Sequence, residues 1–197
     1  HMNRGERDAA LQDAQRLLAL DSWTADPDAV LRWLRDADLK QGNCQSARLR
    51  YAKAYPALLG STPPTIDVSN WQAALDVAPV LQAAGDGATA GALLDLAEQV
   101  IRTIPRLGVA GYGIADVQLH ALRGDKARAL TALREAEKAG WRGPYWRYYR
   151  DFDPNLAAIR DEPEFKAVFA DIERDMARQR AELAARPRDA PLKLELR

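Results

Sequence analysis

Gly124-Asp125-Lys126-Ala127-Arg128-Ala129 runs on into Leu133 and Ala136. The same pattern stands at Gly85-Asp86-Gly87-Ala88-Thr89-Ala90, followed by Leu94 and Ala97, and at Gly42-Asn43-Cys44-Gln45-Ser46-Ala47, followed by Tyr51 and Ala54. Each copy reads as glycine, a short capping side chain, a small alanine, a large apolar residue four positions on and a second alanine. Glycine ends one helix by entering the left-handed region. Asp or Asn beside it can accept from the first turn of the next helix. Alanine lets the two helices approach, and the large side chain fills the space between pairs. Three copies 43 and 39 residues apart predict an all-α chain of helix pairs.

The unit resembles the tetratricopeptide repeat, a helix–turn–helix with a period of about 34 residues. The resemblance implies a right-handed superhelix of antiparallel helix pairs, with extra residues in loops. One such loop is expected at Pro56–Pro64, where three prolines and Gly60 forbid a continuous helix. A fainter copy, Gly5-Glu6-Arg7-Asp8-Ala9-Ala10 with Ala14 and Leu17, lies 37 residues before Gly42. It reads either as the second helix of a cut repeat or as a simple capping helix.

Ahead of each glycine the pattern is helical: Ala29 to Gln41, Trp71 to Ala84, and Ile114 to Arg123. Pro79 is expected to kink the middle one, and Ser69 or Asn70 to cap it. Gly108, Gly111 and Gly113 follow no strand and read as a loop. Beyond the third copy Gly143-Pro144 breaks the helix, Asp153-Pro154 opens a short turn or helix, and Glu162-Pro163 opens a longer helix. That helix carries Phe165, Val168, Phe169, Ile172, Met176 and Leu183 on one face, with Lys166, Asp171, Arg174, Asp175 and Arg178 on the other. It suits the capping end of a repeat array. The domain reading is a start at 1–4 that does not belong to the fold, an array at 5–183, and an extended or flexible tail at 184–197 carrying Leu192, Leu194 and Leu196. His1-Met2 reads as a cloning remnant, so the chain is expected to be a piece of a longer protein.

The C-terminal third carries a second resemblance. Ala139-Gly140-Trp141-Arg142, Asp153-Pro154 with Leu156, Ile159-Arg160-Asp161, Pro163, Phe165, Glu173-Arg174-Asp175-Met176-Ala177 and Arg180 are similar to the end of the repeat domains of bacterial membrane-anchored regulatory proteins. That likeness implies a signalling or DNA-binding portion, one membrane helix and a periplasmic repeat domain with a sensory or scaffolding role. It carries no catalytic residue. Cys44 is the single cysteine, so no intrachain disulfide forms, and this suits cytoplasm and periplasm alike.

Composition narrows the chemistry. Lys+Arg and Asp+Glu are 28 each, without the basic surplus of a nucleic-acid binder, and no apolar run is long enough to span a membrane. His120 reads as a helix residue and Cys44 as a small packed hydrophobe, because no Ser/His/Asp set, phosphate loop or dinucleotide fingerprint accompanies them. The expectation is therefore no enzyme, no cofactor and no metal. Asp151, Asp153, Asp161, Glu162 and Glu164 sit at helix starts, where negative charge is favourable without a cation.

Two surfaces are expected to bind. Aligning the glycine turns places Arg32, Asp36, Lys40, Gln72, Leu75, Gln82, Ile114 and Gln118 on a concave face suited to a peptide or helix. Trp141, Tyr145, Trp146, Arg147 and Tyr148 form an aromatic patch, read first as a plug between the last repeat and its cap, then as a protein-binding surface, and last as a base-stacking platform. The leading expectation is a protein- or peptide-binding module. The alternative is a small-molecule sensor with the ligand between the aromatic turn and the groove. Converging polar groups would favour the sensor, and an open groove the peptide binder. Residues 5 to 20 would present an apolar end through which two copies could pair.

Overall fold

A computed structural model describes residues 7–19, 27–60, 63–108 and 111–187. Every regular element among them is helical: α1 Arg7–Ala19, α2 Pro27–Gln41, α3 Cys44–Ala54, α4 Pro56–Leu59, α5 Trp71–Ala83, α6 Gly87–Ile101, α7 Ala115–Leu122, α8 Lys126–Lys138, α9 Trp146–Asp151 and α10 Pro163–Ala185, with a 3-10 turn at Pro154–Leu156.

The pairs α2–α3, α5–α6 and α7–α8 meet at the predicted glycines. Gly42, Gly85 and Gly124 take φ of 74°, 80° and 76°, a region closed to most side chains. The caps differ among them. Asp86 accepts from Thr89 N at 3.3 Å and Asp125 from Arg128 N at 3.1 Å. Asn43 does not cap: its Nδ2 donates to Gln41 instead. Asn70 opens α5 without a side-chain cap, because its Oδ1 accepts from Asp67 N and its Nδ2 donates to Thr65 O. Glycine alone closes the first turn, and a loop-bracing asparagine stands where a helix cap was expected.

The repeated apolar positions do what their spacing predicts. Ala47, Ala90 and Ala129 are buried at the crossings, and Tyr51, Leu94 and Leu133 are buried beside them. Each large side chain so placed contributes roughly 1.5–3 kcal/mol. One apolar cluster runs from α2 to α7 around Tyr51, Leu75, Leu81, Leu94 and Ile101. A second runs from α7 to α10 around Leu133, Trp141, Trp146, Phe165 and Phe169. Successive pairs pack through α2 on α5, α5 on α7, α3 on α5 and α6 on α7, while α10 lies on α8 and the 3-10 turn on α7 and α5. A small third cluster joins α1 to α2 through Ala14, Val30 and Leu34.

Some expectations need correction. The stretch after Pro56 forms one helical turn, α4, since proline suits a first helical position. Pro79 falls inside α5, as its place in the pattern predicts. The inward stripe of α10 stops near Met176, and Leu183 is 66% exposed. α10 also continues to Ala185, past the expected boundary at 183, because its breaker is Pro187. Gly5 of the fainter copy, the start at 1–4, and the alternating leucines 192, 194 and 196 lie outside the described residues, while Ala14 and Leu17 of that copy lie on α1 against α2.

Candidate functional site

α2 presents Arg32, Arg35 and Asp36 toward the rest of the molecule. Arg35 follows Arg32 by three positions and so shares its face. Its side chain is fully buried, and a guanidinium can be buried only if its donors are matched. They are. Nε and Nη2 donate to Asp36 at 2.9 and 2.8 Å, and Nη1 donates to the Asp76 carboxylate at 2.7 Å and to its carbonyl at 3.0 Å. Nη2 also reaches the Tyr148 hydroxyl at 3.1 Å and Asp153 at 3.5 Å. Tyr148 in turn donates to Asp36 at 2.8 Å. Gln118 donates to Asp153 at 2.6 Å, and Asn155 N donates to Asp153 Oδ1 at 3.1 Å. One arginine of α2 thus ties together α5, α9 and the 3-10 turn.

The charges of this cluster do not cancel. Asp36, Asp76 and Asp153 face Arg32 and Arg35, all buried except the partly exposed Arg32. Burial raises the Asp76 carboxyl, but Arg32 and Arg35 outweigh it and hold the group below its ordinary value. Burial raises Asp36 despite Arg35. Asp153 is pushed up to about 6, mainly by burial, with Arg35 opposing and Asp36 and Asp76 adding to the rise. The surplus carboxylate is therefore the one held closest to protonation at neutral pH.

On the open side of this cluster lies a cavity of about 510 Å³. Arg32 and Asp76 line it together with Trp71, Gln72 and Leu75 of α5, and Ile114, Ala115 and Gln118 at the start of α7. Arg106, Leu107, Gly108, Gly111, Tyr112 and Gly113 wall it from one loop and Trp141 to Tyr145 from a turn, with Tyr149. The glycines have a specific use here. A side chain at Gly111 would sit 2.6 Å from the Arg106 carbonyl, so the loop folds back on itself only with glycine there. A Cβ on Gly113 would lie 3.0 Å from Trp141 Nε1, and one on Gly143 2.9 Å from Trp141 Cζ2. Trp141 is held between two backbones stripped of side chains.

Two of the three arginines on this wall pair with carboxylates that do not line it. Arg106 donates to Asp116 at 3.1 and 2.7 Å, and lies over the Tyr112 ring at 4.9 Å. Arg142 donates to Asp175 at 2.8 Å and to Glu137 at 3.2 Å. Arg32 Nε and Nη2 meet Asp76 at about 3 Å. That leaves Arg32 Nη1 and the Tyr149 hydroxyl without a hydrogen-bond partner among the described residues. Burial raises the Tyr149 phenol, with Arg32 opposing, so it stays a donor at neutral pH.

Of the expected concave-face residues, five line the cavity: Arg32, Gln72, Leu75, Ile114 and Gln118. Asp36 is buried within the charge cluster, because Arg35 draws it inward. Lys40 is exposed near the end of α2, away from the cavity. Gln82 donates to the Leu122 carbonyl at 2.9 Å and bridges α5 to α7. In the aromatic patch Trp141, Trp146 and Tyr148 are buried, as the plug reading requires, and Arg147 covers the Trp146 ring at 4.5 Å. Tyr145 alone of the five is exposed, at 48%, and Leu107, also on the cavity lining, is 43% exposed.

The acidic residues of the C-terminal third are dispersed among cationic partners. Asp151 pairs with Arg150, Glu162 with Lys126, Glu164 with Arg134 and Asp161 with Lys166. Among the described residues, no three His, Cys, Asp or Glu side chains are grouped to hold a metal ion. His120 lines a separate cavity with Glu98 and Tyr112, and Cys44 packs against the first apolar cluster. No helix among the described residues is long and apolar enough to cross a membrane.

The chain matches no protein-family model, no curated protein and no solved structure. Its own residues must carry the functional reading.

Three participants escaped the concave-face alignment. Arg35 interrupts the run Leu31, Leu34 and Leu39, and Asp76 is a lone carboxylate within Ala73-Ala74-Leu75-Asp76-Val77-Ala78. A charge inside an otherwise apolar helix face is a signal for a buried partner of opposite sign. Asp153 carried no such mark, since a residue before proline at a helix start reads as an ordinary cap.

Proposed function

We propose that this chain is a non-catalytic sensory module whose ligand is a small molecule seated in the cavity between α2, α5, α7 and the Trp141–Tyr145 turn. The observation that carries this reading is convergence. Side chains from α2, α5, α7 and α9 and backbone from two glycine loops meet around one space, with two donors unclaimed. Ligand sites are commonly such concave, largely preformed spaces of about 300–1,000 Å³ with a few placed polar groups. No nucleophile–base pair lines it, so binding rather than turnover is the reading.

The tetratricopeptide-type superhelix belongs to the same proposal. Three helix–glycine–helix pairs with alanine crossings support it. So does the role as the sensory or scaffolding part of a longer membrane-anchored bacterial regulator, placed in the periplasm, which rests on the residues of the C-terminal third. Pairing of two copies through the N-terminal end is a further part of it.

A peptide or protein segment is the second reading, favoured by Leu107 and Tyr145, two large side chains exposed on the cavity lining. A thermal-shift screen of small molecules and of short peptides separates the two, with Gln72→Trp as the control. Gln72 is exposed on the lining and Trp there fills the cavity without disturbing the core. Small molecules that raise Tm in the native chain and not in Gln72→Trp support the first reading. Peptides lost on Leu107→Asp or Tyr145→Asp support the second. Hits indifferent to all three substitutions would sink both.

A further inference from the structure

The cavity wall is richer in donors than in acceptors. Asp76 is the one carboxylate on it, and both its oxygens are taken: Oδ1 by Arg35 and Oδ2 by Arg32. Arg106 and Arg142 line the cavity, while the carboxylates that pair with them, Asp116 and Asp175, do not. Nη1 of Arg32 and the Tyr149 hydroxyl stand unclaimed among the described residues. Two unclaimed donors, one of them cationic, call for an anionic acceptor.

The rest of the wall is flat. Trp71 and Tyr149 supply ring surface, and Trp141 is fixed by Gly113 and Gly143, by an edge contact with Tyr149 at 5.8 Å between centroids and by another with Phe169 at 6.3 Å. Such immobile ring surfaces select flat, aromatic partners.

We infer that the cavity takes a small aromatic carboxylate, its carboxylate accepting from Arg32 and Tyr149 and its ring lying against the tryptophans. This rests on the small-molecule reading of the same cavity. The other lining groups agree with it. Gln72 and Gln118 offer amides that serve a ring substituent of either polarity, and the glycine loops leave backbone open at the rim.

The test uses the whole chain and three probes: indole-3-propionate, its primary amide, and pentanoate, which keeps the carboxylate without the ring. Titration followed by ligand-observed NMR and calorimetry at pH 7 is expected to rank the indole acid first. The amide and pentanoate should each bind about tenfold more weakly, the loss of one charge-assisted contact or of one ring surface. Tyr149→Phe removes a hydroxyl that has no internal partner, so the fold stays intact. It should weaken the acid several-fold and leave the amide unchanged. Arg32→Gln should erase the preference for acid over amide. If that variant fails to fold because Asp76 loses a partner, Tyr149→Phe carries the test alone.

Equal binding of acid and amide, or of acid and pentanoate, overturns the inference while leaving a ligand cavity in place. If none of the probes binds and amidated peptides bind at the rim instead, the inference is overturned and the binding module survives in its peptide form. If neither probes nor peptides bind in a manner sensitive to Gln72→Trp, the inference and the proposed function fall together.

Discussion

Two kinds of seam hold the helices together. The first is apolar and local: Ala90 and Leu94 at one crossing, Ala129 and Leu133 at the next, each a few residues after its glycine turn. The second is polar and remote: Arg35 meets Asp76, Tyr148, Asp153 and Asn155 across 41, 113, 118 and 120 residues of chain. The apolar seams are repeated, so each is replaceable in kind. The polar seam occurs once, and its members satisfy one another, so removing one leaves the others buried and unmatched. Apolar packing degrades in portions, whereas a buried charge cluster fails as a unit.

The contrast is most directly broken at Arg35. Arg35→Met leaves three buried carboxylates with Arg32 as their remaining cation, and urea unfolding should show a loss of about 3–5 kcal/mol. A loss below about 1 kcal/mol would mean that the cluster is not a unit. Leu94→Ala and Leu133→Ala should each cost about 2–5 kcal/mol. Because the two leucines belong to separate clusters, the double variant should be additive within about 0.5 kcal/mol. Arg35→Met combined with Asp153→Asn should instead deviate from additivity by more than that.

pH sharpens the comparison, because only the polar seam titrates. The folded-state Asp153 carboxyl sits near 6, above its ordinary unfolded value of about 3.9. A raised acid binds its proton more tightly in the folded chain. Its contribution is therefore fullest below pH about 4 and is lost as pH rises through about 6. Asp36 is shifted in the same direction. Asp76 is shifted downward by Arg32 and Arg35 and acts oppositely, only at more acid pH. Tyr51, Tyr148 and Tyr149 are raised by burial and stay neutral throughout, and Arg160 donates to the Arg150 and Asp153 carbonyls rather than to the Asp153 carboxylate. The difference in Tm between native chain and Asp153→Asn should change steadily from pH 4.5 to 6.5 and level off above it. A constant difference would refute the assignment of the surplus charge to Asp153.

The smallest effects lie within the apolar seams. Asp86→Ala removes a working helix cap and should lower Tm by a few degrees, while Asn43→Ala, at the matching position, should leave it unmoved. Equal effects would show that the caps are set by sequence pattern rather than by the bonds formed.

The two seams also differ in how far they could be read beforehand. Gly42, Gly85 and Gly124, with the alanines and large residues behind them, are legible because each acts on neighbours within a few positions and does so three times. The start of α10 at Pro163 falls where proline places it. The cavity was half legible. Register from the glycine turns found Arg32, Gln72, Leu75, Ile114 and Gln118, but the same register placed Asp36 in the groove. Sequence spacing fixes a helix face, not which of its polar groups a distant arginine will draw into the interior. Trp71 and Tyr149 share the wall with residues of the loop around Gly111 and of the 141–145 turn, and loop placement leaves no periodic trace.

The remoteness of the polar seam has a consequence in time. Helix pairs joined by turns of two or three residues can form early, since little chain entropy is lost in closing them, whereas a contact spanning 118 residues waits until most of the chain is in place. The charge cluster therefore acts as the last latch. Loosening it should leave the refolding rate nearly unchanged and speed unfolding, so the lifetime of the closed cavity is set at Arg35 while the speed of its assembly is set at the glycine turns.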